Sequence, residues 1–146
     1  MKFHLASDHA GFFLKEAVKK FLEKQELEYI DYGTNSPDSV DYPDYVHKLM
    51  QSFLKVSEKE TAILICGSGN GICMTANKYP GIRGALVWNE ELAALAKKHN
   101  NANVLCLPGR FLSVNQMEKI LLAFINAEFE GGRHKQRIQK INIQSL

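Results

Sequence analysis

Residues Ala62-Ile63-Leu64-Ile65-Cys66 are apolar without a break, and Gly67-Ser68-Gly69-Asn70-Gly71 follows at once. A strand with one face in water alternates polar and apolar side chains. A strand that is apolar throughout needs cover on both faces, as in a parallel sheet between two layers of helices. The glycine cluster then ends the strand in a tight turn and opens a helix. Few architectures accept this combination, and a three-layer α/β sandwich is the simplest of them.

The rest of the chain repeats the pattern. Phe3–Ala6 is a short apolar run interrupted by His4, and Phe13, Leu14, Ala17, Val18, Phe21 and Leu22 recur at helical spacing. Tyr29 and Ile30 predict a second strand. Asp41-Tyr42-Pro43 reads as a helix start, with Tyr45, Val46, Leu49, Met50 and Phe53 as its buried stripe. The helix after the glycine cluster is expected to run to about Lys78. Ala85–Trp88 and Val104–Leu107 predict strands four and five. Helices are expected over Glu90 to about His99, over Met117–Phe129, and over the basic stretch from Arg133 to about Ile141. Regular βα alternation predicts one α/β domain over 1–146 built on a five-stranded parallel sheet. A chain of 146 residues buries roughly 70% of its unfolded surface, so its core needs no metal or disulfide.

Charge and cysteine usage narrow the function classes. The net charge is only +2, too small to argue for nucleic acid. Cys66, Cys73 and Cys106 make an odd number with no CxxC pair, Met1–Ser7 reads as a strand, and no apolar run nears the ~18 residues of a membrane span. The expectation is a cytoplasmic protein with reduced thiols. The histidines and cysteines lack ligand spacing, so no metal is expected.

In an open α/β sheet, ligands bind at the carboxyl ends of strands where the strand order reverses. The ends of strands one and three carry Asp8-His9 and Cys66-Gly67. Cys66 precedes a helix N-terminus whose dipole favours thiolate, so it is either a nucleophile or base, or a small core hydrophobe. The Gly67–Gly71 loop lacks the residues of a P-loop; it is either a plain turn or a nest of N–H groups for an oxyanion. Asp8 and His9, beside Gly11 at a helix start, are candidates for sugar hydroxyl or phosphate contacts. His4 and His47 have no such company and read as structural or surface residues. Arg133 and Arg137 share a helix face and suit a phosphate dianion, with Arg110 as a third cation; the alternative for this basic run is a solvated face.

The motifs together resemble the ribose-5-phosphate isomerase type B family, which includes the subunits of galactose-6-phosphate isomerase. The resemblance rests on Ser7-Asp8-His9-Ala10-Gly11 with Leu14-Lys15, Asp41-Tyr42-Pro43, Ile65 through Ile72, Ala76-Asn77-Lys78, Gly81-Ile82-Arg83, His99-Asn100 and Glu130-Gly131-Gly132-Arg133-His134. It implies a Rossmann-like sheet, homodimers or dimers of dimers, and no metal or organic cofactor. It implies conversion of ribose 5-phosphate to ribulose 5-phosphate through an enediol, a step of the pentose phosphate pathway. On matching positions Cys66 is the base that moves the proton between C2 and C1. Ser68 and His99 assist ring opening, with Asp8 near the ring oxygen. The amides of Gly67, Gly69, Asn70 and Gly71 hold the enediolate. His9, Arg110, Arg133 and Arg137 hold the phosphate, and Tyr42 and Asn100 line the sugar site. Ser68 stands where threonine is common, and Ile72-Cys73-Met74 has no acid in place of the glutamate some relatives use as base.

Alternatives are an isomerase of allose 6-phosphate or galactose 6-phosphate, and a non-catalytic sugar-phosphate sensor on the same fold. A nucleotide or nucleic-acid binder lacks a complete phosphate loop here. Helix geometry adds one expectation. The helix carrying His99 starts at the carboxyl edge of the sheet, and ten residues at 1.5 Å carry its end about 15 Å away. His99 is therefore expected far from Cys66 of its own chain, and a site using both would be shared between subunits.

Overall fold

The computed structural model describes residues 2–142. Five parallel strands, β1 (Lys2–Ser7), β2 (Glu28–Asp31), β3 (Thr61–Cys66), β4 (Gly84–Leu86) and β5 (Val104–Pro108), form one sheet in the order β2-β1-β3-β5-β4. Six helices, α1 (Phe12–Lys24), α2 (Tyr42–Phe53), α3 (Asn70–Ala76), α4 (Glu90–Asn100), α5 (Val114–Ile125) and α6 (Arg133–Ile138), complete the described chain with a 3-10 turn at His9–Gly11. The three-layer α/β sandwich is as expected.

Every residue of β3 is buried, as its unbroken apolar run requires. Its alternate side chains feed two cores. Ile63 and Ile65 join Phe3, Leu5, Leu105 and Leu107 beneath α1, α4 and α5. Ala62, Leu64 and Cys66 join Ala6, Val104 and Cys106 beneath α2 and α3. Cys73 and Cys106 lie in this second core as small apolar residues do. Burial pushes the Cys106 thiol well up, and neighbouring Cys73 and Cys66 add to the effect. His4 is buried too; it places Nε2 2.5 Å from the Glu60 carboxylate and Nδ1 3.0 Å from the Tyr32 hydroxyl, a structural role.

Strand order reverses between β1 and β3, because the chain leaves β1 for β2 on one side and returns to β3 on the other. A second departure from simple order follows: β4 occupies the edge, and β5 inserts between it and β3.

Element limits differ most from the sequence expectation at β4, α5 and α6. β4 ends at Leu86 rather than Trp88, since this edge strand pairs only with β5 and Trp88 turns out to solvent. α5 starts at Val114 and ends at Ile125, not Met117–Phe129. Its start is set by a capping box in which the Ser113 hydroxyl accepts from the Gln116 N–H and the Gln116 side chain accepts from the Ser113 N–H. α6 closes at Ile138 and continues as a turn.

Candidate active site

The reversal point brings the ends of β1, β3 and β5 together. The Asp8 N–H donates to the Ile65 carbonyl at 3.2 Å, and the Gly109 and Arg110 N–H groups donate to the Cys66 and Gly67 carbonyls at 2.8 and 3.1 Å. Gly11 is required here. A Cβ on it would overlap the Ile65 carbonyl oxygen and lie 2.7 Å from the carbonyl carbon, so only glycine lets the first turn rest on β3.

On this platform stand most of the residues singled out by sequence. Cys66 ends β3, 4% exposed, on the α2/α3 side of the sheet. Gly69 turns the chain in the left-handed region (φ 75°), directing the loop into α3 at Asn70. The Ser68 hydroxyl accepts from the Asn70 N–H at 3.3 Å. Tyr42, at the first position of α2, lays its ring over Gly71, where a Cβ would come 2.7 Å from the phenol oxygen. The Arg110 guanidinium lies over Gly67; a Cβ there would sit 3.4 Å from one of its terminal nitrogens. The insertion of β5 beside β3 is what delivers this cation to the loop.

Asp8 and His9 complete the carboxyl edge. The buried Asp8 carboxylate accepts the Gly11 N–H at 2.9 Å through Oδ1, capping the 3-10 turn. His9 Nδ1 lies 3.2 Å from the Val40 N–H. The same Nδ1 lies 3.1 Å from the Val40 carbonyl oxygen, so both contacts to Val40 are made through Nδ1 and neither uses Nε2.

The remaining four residues lie elsewhere. α4 leaves the carboxyl edge after β4 and runs back for eleven residues, about 16 Å. Its end is held at the opposite edge, where Arg83, just before β4, donates from Nε to the Asn100 and Asn101 carbonyls at 3.1 and 3.0 Å. His99 and Asn100 are thus far from Cys66, as helix geometry required. Gly131 and Gly132, at φ 66° and 54°, turn α6 back against α4. His134 stacks on His99 with ring centroids 4.2 Å apart and planes within 6°. Glu130 Oε2 lies 3.7 Å from Nε2 of both rings. His99, Asn100, His134 and Arg137 line an open cleft of about 330 Å³, with Arg133 on the same short helix. The sequence reading assigns no role to Glu130 or His134. The Gly131-Gly132 pair signals only a sharp turn before α6, because glycine accepts the positive φ found there; it does not say what α6 packs against.

Among the described residues, His99, Glu130 and His134 form one group whose ligand atoms lie within 4.8 Å of one another. It does not suit a cation. A metal lies in the plane of each imidazole that binds it, at about 2.0–2.1 Å, and two parallel stacked rings share no such point. Arg133 and Arg137 add positive charge beside them.

One copy therefore carries two separate clusters, Cys66 with the Gly67–Gly71 turn, Arg110 and His9 at one edge, and the His99–His134 pair with Arg133 and Arg137 at the other. A model of the Ribose/Galactose Isomerase family matches residues 3–141. The chain belongs to this family. It is 37% identical over 140 residues to ribose-5-phosphate isomerase B of Escherichia coli, spanning 96% of this chain and 93% of the relative. The ribose 5-phosphate isomerase of Thermotoga maritima is 48% identical, with a TM-score of 0.92 and 96% of each chain covered. Ribose-5-phosphate isomerase B from Mycoplasma genitalium, solved with ribulose 5-phosphate bound, is 45% identical with a TM-score of 0.91, covering 96% of this chain and 93% of that one. No helix among the described residues is long and apolar enough to cross a membrane.

Proposed function

We propose that this chain interconverts ribose 5-phosphate and ribulose 5-phosphate through an enediol, with Cys66 as the base. The observation that carries the reading is the Cys66–Gly71 turn at the strand-order reversal, in a chain 45% identical to a relative solved with ribulose 5-phosphate bound.

The C2 proton of an open-chain aldose is weakly acidic, so its removal needs a positioned base and a site for the developing negative charge. Cys66 Sγ takes the C2 proton. The C–H electron pair becomes the C1=C2 bond, and the carbonyl electrons move onto O1. The N–H groups of Gly67, Gly69, Asn70 and Gly71 hold that oxygen. Return of the proton to C1, with the O2 proton passing to O1, gives the ketose. Ser68 and His99 assist ring opening beside Asp8 Oδ2. Tyr42 and Asn100 line the sugar. His9, Arg110, Arg133 and Arg137 bind the phosphate, whose binding energy positions carbons distant from it.

His99, Asn100, Arg133 and Arg137 lie at the wrong edge to serve Cys66 of their own chain. The working unit is therefore a homodimer, or a dimer of dimers, in which each site takes Cys66 from one subunit and His99 from its partner. The residues form one sugar-phosphate isomerase domain over 1–146, acting in the cytoplasm without a metal or organic cofactor and with no nucleic-acid partner.

The test is ribose 5-phosphate isomerisation by purified protein with chelator present, wild type beside Cys66→Ala. Chelator-resistant activity that falls by at least about 10³-fold in the variant supports reaction and base together. Folded wild type inactive on ribose 5-phosphate but active on a six-carbon aldose phosphate would move the assignment within the family. Inactivity across that panel, with the sugar phosphates still bound, would favour a sensor.

A further inference from the structure

Glu130 has no place in the proton path above, yet its carboxylate is held against both imidazoles of the anion-binding edge. Its backbone N–H donates to the Lys98 carbonyl at 3.0 Å, tying the segment before α6 to the last turn of α4. From there one oxygen, Oε2, stands 3.7 Å from Nε2 of His99 and equally far from Nε2 of His134. At this distance the contact is one of charge and not a hydrogen bond.

The charges facing the stacked rings come from three elements. His99 comes from α4, Arg133 and Arg137 from α6, and Glu130 from the turn between α5 and α6. Three of these are cationic or become so on protonation. Desolvation first, then His99 and Arg133, pull the His134 imidazole below its ordinary range, and Glu130 alone among these charges opposes them. Two rings 4.2 Å apart cannot both carry charge without mutual repulsion. Without a nearby carboxylate, two guanidiniums would face the rings with no counter-charge, which weakens the hold of the His134 imidazole on a proton.

We infer that Glu130 is a positioning residue: it supplies the counter-charge that keeps one proton on the His99–His134 stack. The inference rests on the isomerase reading for its catalytic consequence, and the charge coupling itself is a property of the free protein. Glu130 is half exposed, so Glu130→Gln preserves shape and leaves the Lys98 contact intact.

The experiment is a titration of the His99 and His134 ring signals by nuclear magnetic resonance, with substrate absent, in wild type and Glu130→Gln, alongside pH profiles of kcat/KM for ribose 5-phosphate. Loss of the carboxylate is expected to lower the titration midpoint of at least one ring by about half a pH unit, the usual reach of a partly exposed charge pair. The alkaline limb of kcat/KM is expected to move in the same direction by a similar amount, and Glu130→Asp to restore part of both shifts. Unmoved ring titrations would overturn the inference. Shifted titrations with an unmoved activity profile would overturn the positioning role while leaving the isomerase reading intact. A wild type inactive on ribose 5-phosphate would count against that reading, and the catalytic role of Glu130 would fall with it, while the ring titrations still report the coupling.

Discussion

Mixing two dead variants should restore a defined fraction of activity. Cys66→Ala removes the proposed base and His99→Ala removes a group that α4 carries about 16 Å to the other edge of the sheet. In a two-fold symmetric dimer each of the two sites takes one edge from each subunit. A mixed dimer then holds one site with both lesions and one site with neither. Equal amounts of the variants, allowed to exchange at random, give mixed dimers as about half of all dimers, so about a quarter of all sites are intact. The assay is ribulose 5-phosphate formation, with the mixed species quantified by native mass spectrometry. Recovery to about a quarter of the wild-type rate per subunit is expected. If mixed dimers are present at the expected level and the rate stays at the average of the two parents, the site lies within one chain and the reasoning from α4 is refuted.

Three further outcomes follow from packing and charge. Gly11→Ala should cost about 3 kcal/mol or more, because its Cβ meets the backbone of β3 and not a yielding side chain; chemical denaturation measures it, and a change below about 1 kcal/mol would show that the turn can lift off. Ser113→Ala should cost about 1 kcal/mol through loss of the α5 capping box, read from the denaturation midpoint with isomerase activity unchanged. Burial would raise the Asp31 pKa, but its partner Lys15, the Gly33 N–H and Lys19 outweigh burial and hold the carboxyl below its ordinary value of 3.8. Its stabilisation is therefore complete above about pH 4 and lost as pH falls through the depressed folded-state value. The pH dependence of the urea midpoint should flatten over that acid range in Asp31→Asn, and an unchanged slope would remove Asp31 as its source.

Much of this arrangement was legible because single residues impose it. The unbroken run of β3 could only be a strand covered on both faces, and the strand-order reversal then directed attention to Asp8, His9 and Cys66. The separation of His99 from Cys66 followed from the rise of a helix alone. The order β2-β1-β3-β5-β4 was not legible, since right-handed crossovers of similar length can place β4 beside β3 or outside β5. The start of α5 was readable from Ser113 and Gln116, but the apolar stripe beginning at Met117 drew the boundary inward. The contact of Glu130 and His134 with His99 depends on how α6 packs on α4, and no local spacing encodes that. Asp8 shows a further limit: proximity in sequence identified the carboxylate, while its use of one oxygen to cap its own turn emerged only from the coordinates.

The insertion of β5 between β3 and β4 has a consequence for how the chain is made. Residues 61–66 and 84–86 are synthesised before residues 104–108, so β3 and β4 are made without the strand that joins them. Through that interval one whole edge of β3, apolar on both faces, stands open to any passing strand. The last strand to be synthesised is also the one that seals the others together. A translational pause after β3 has emerged and before β5 has followed it would thus prolong the period of greatest aggregation risk.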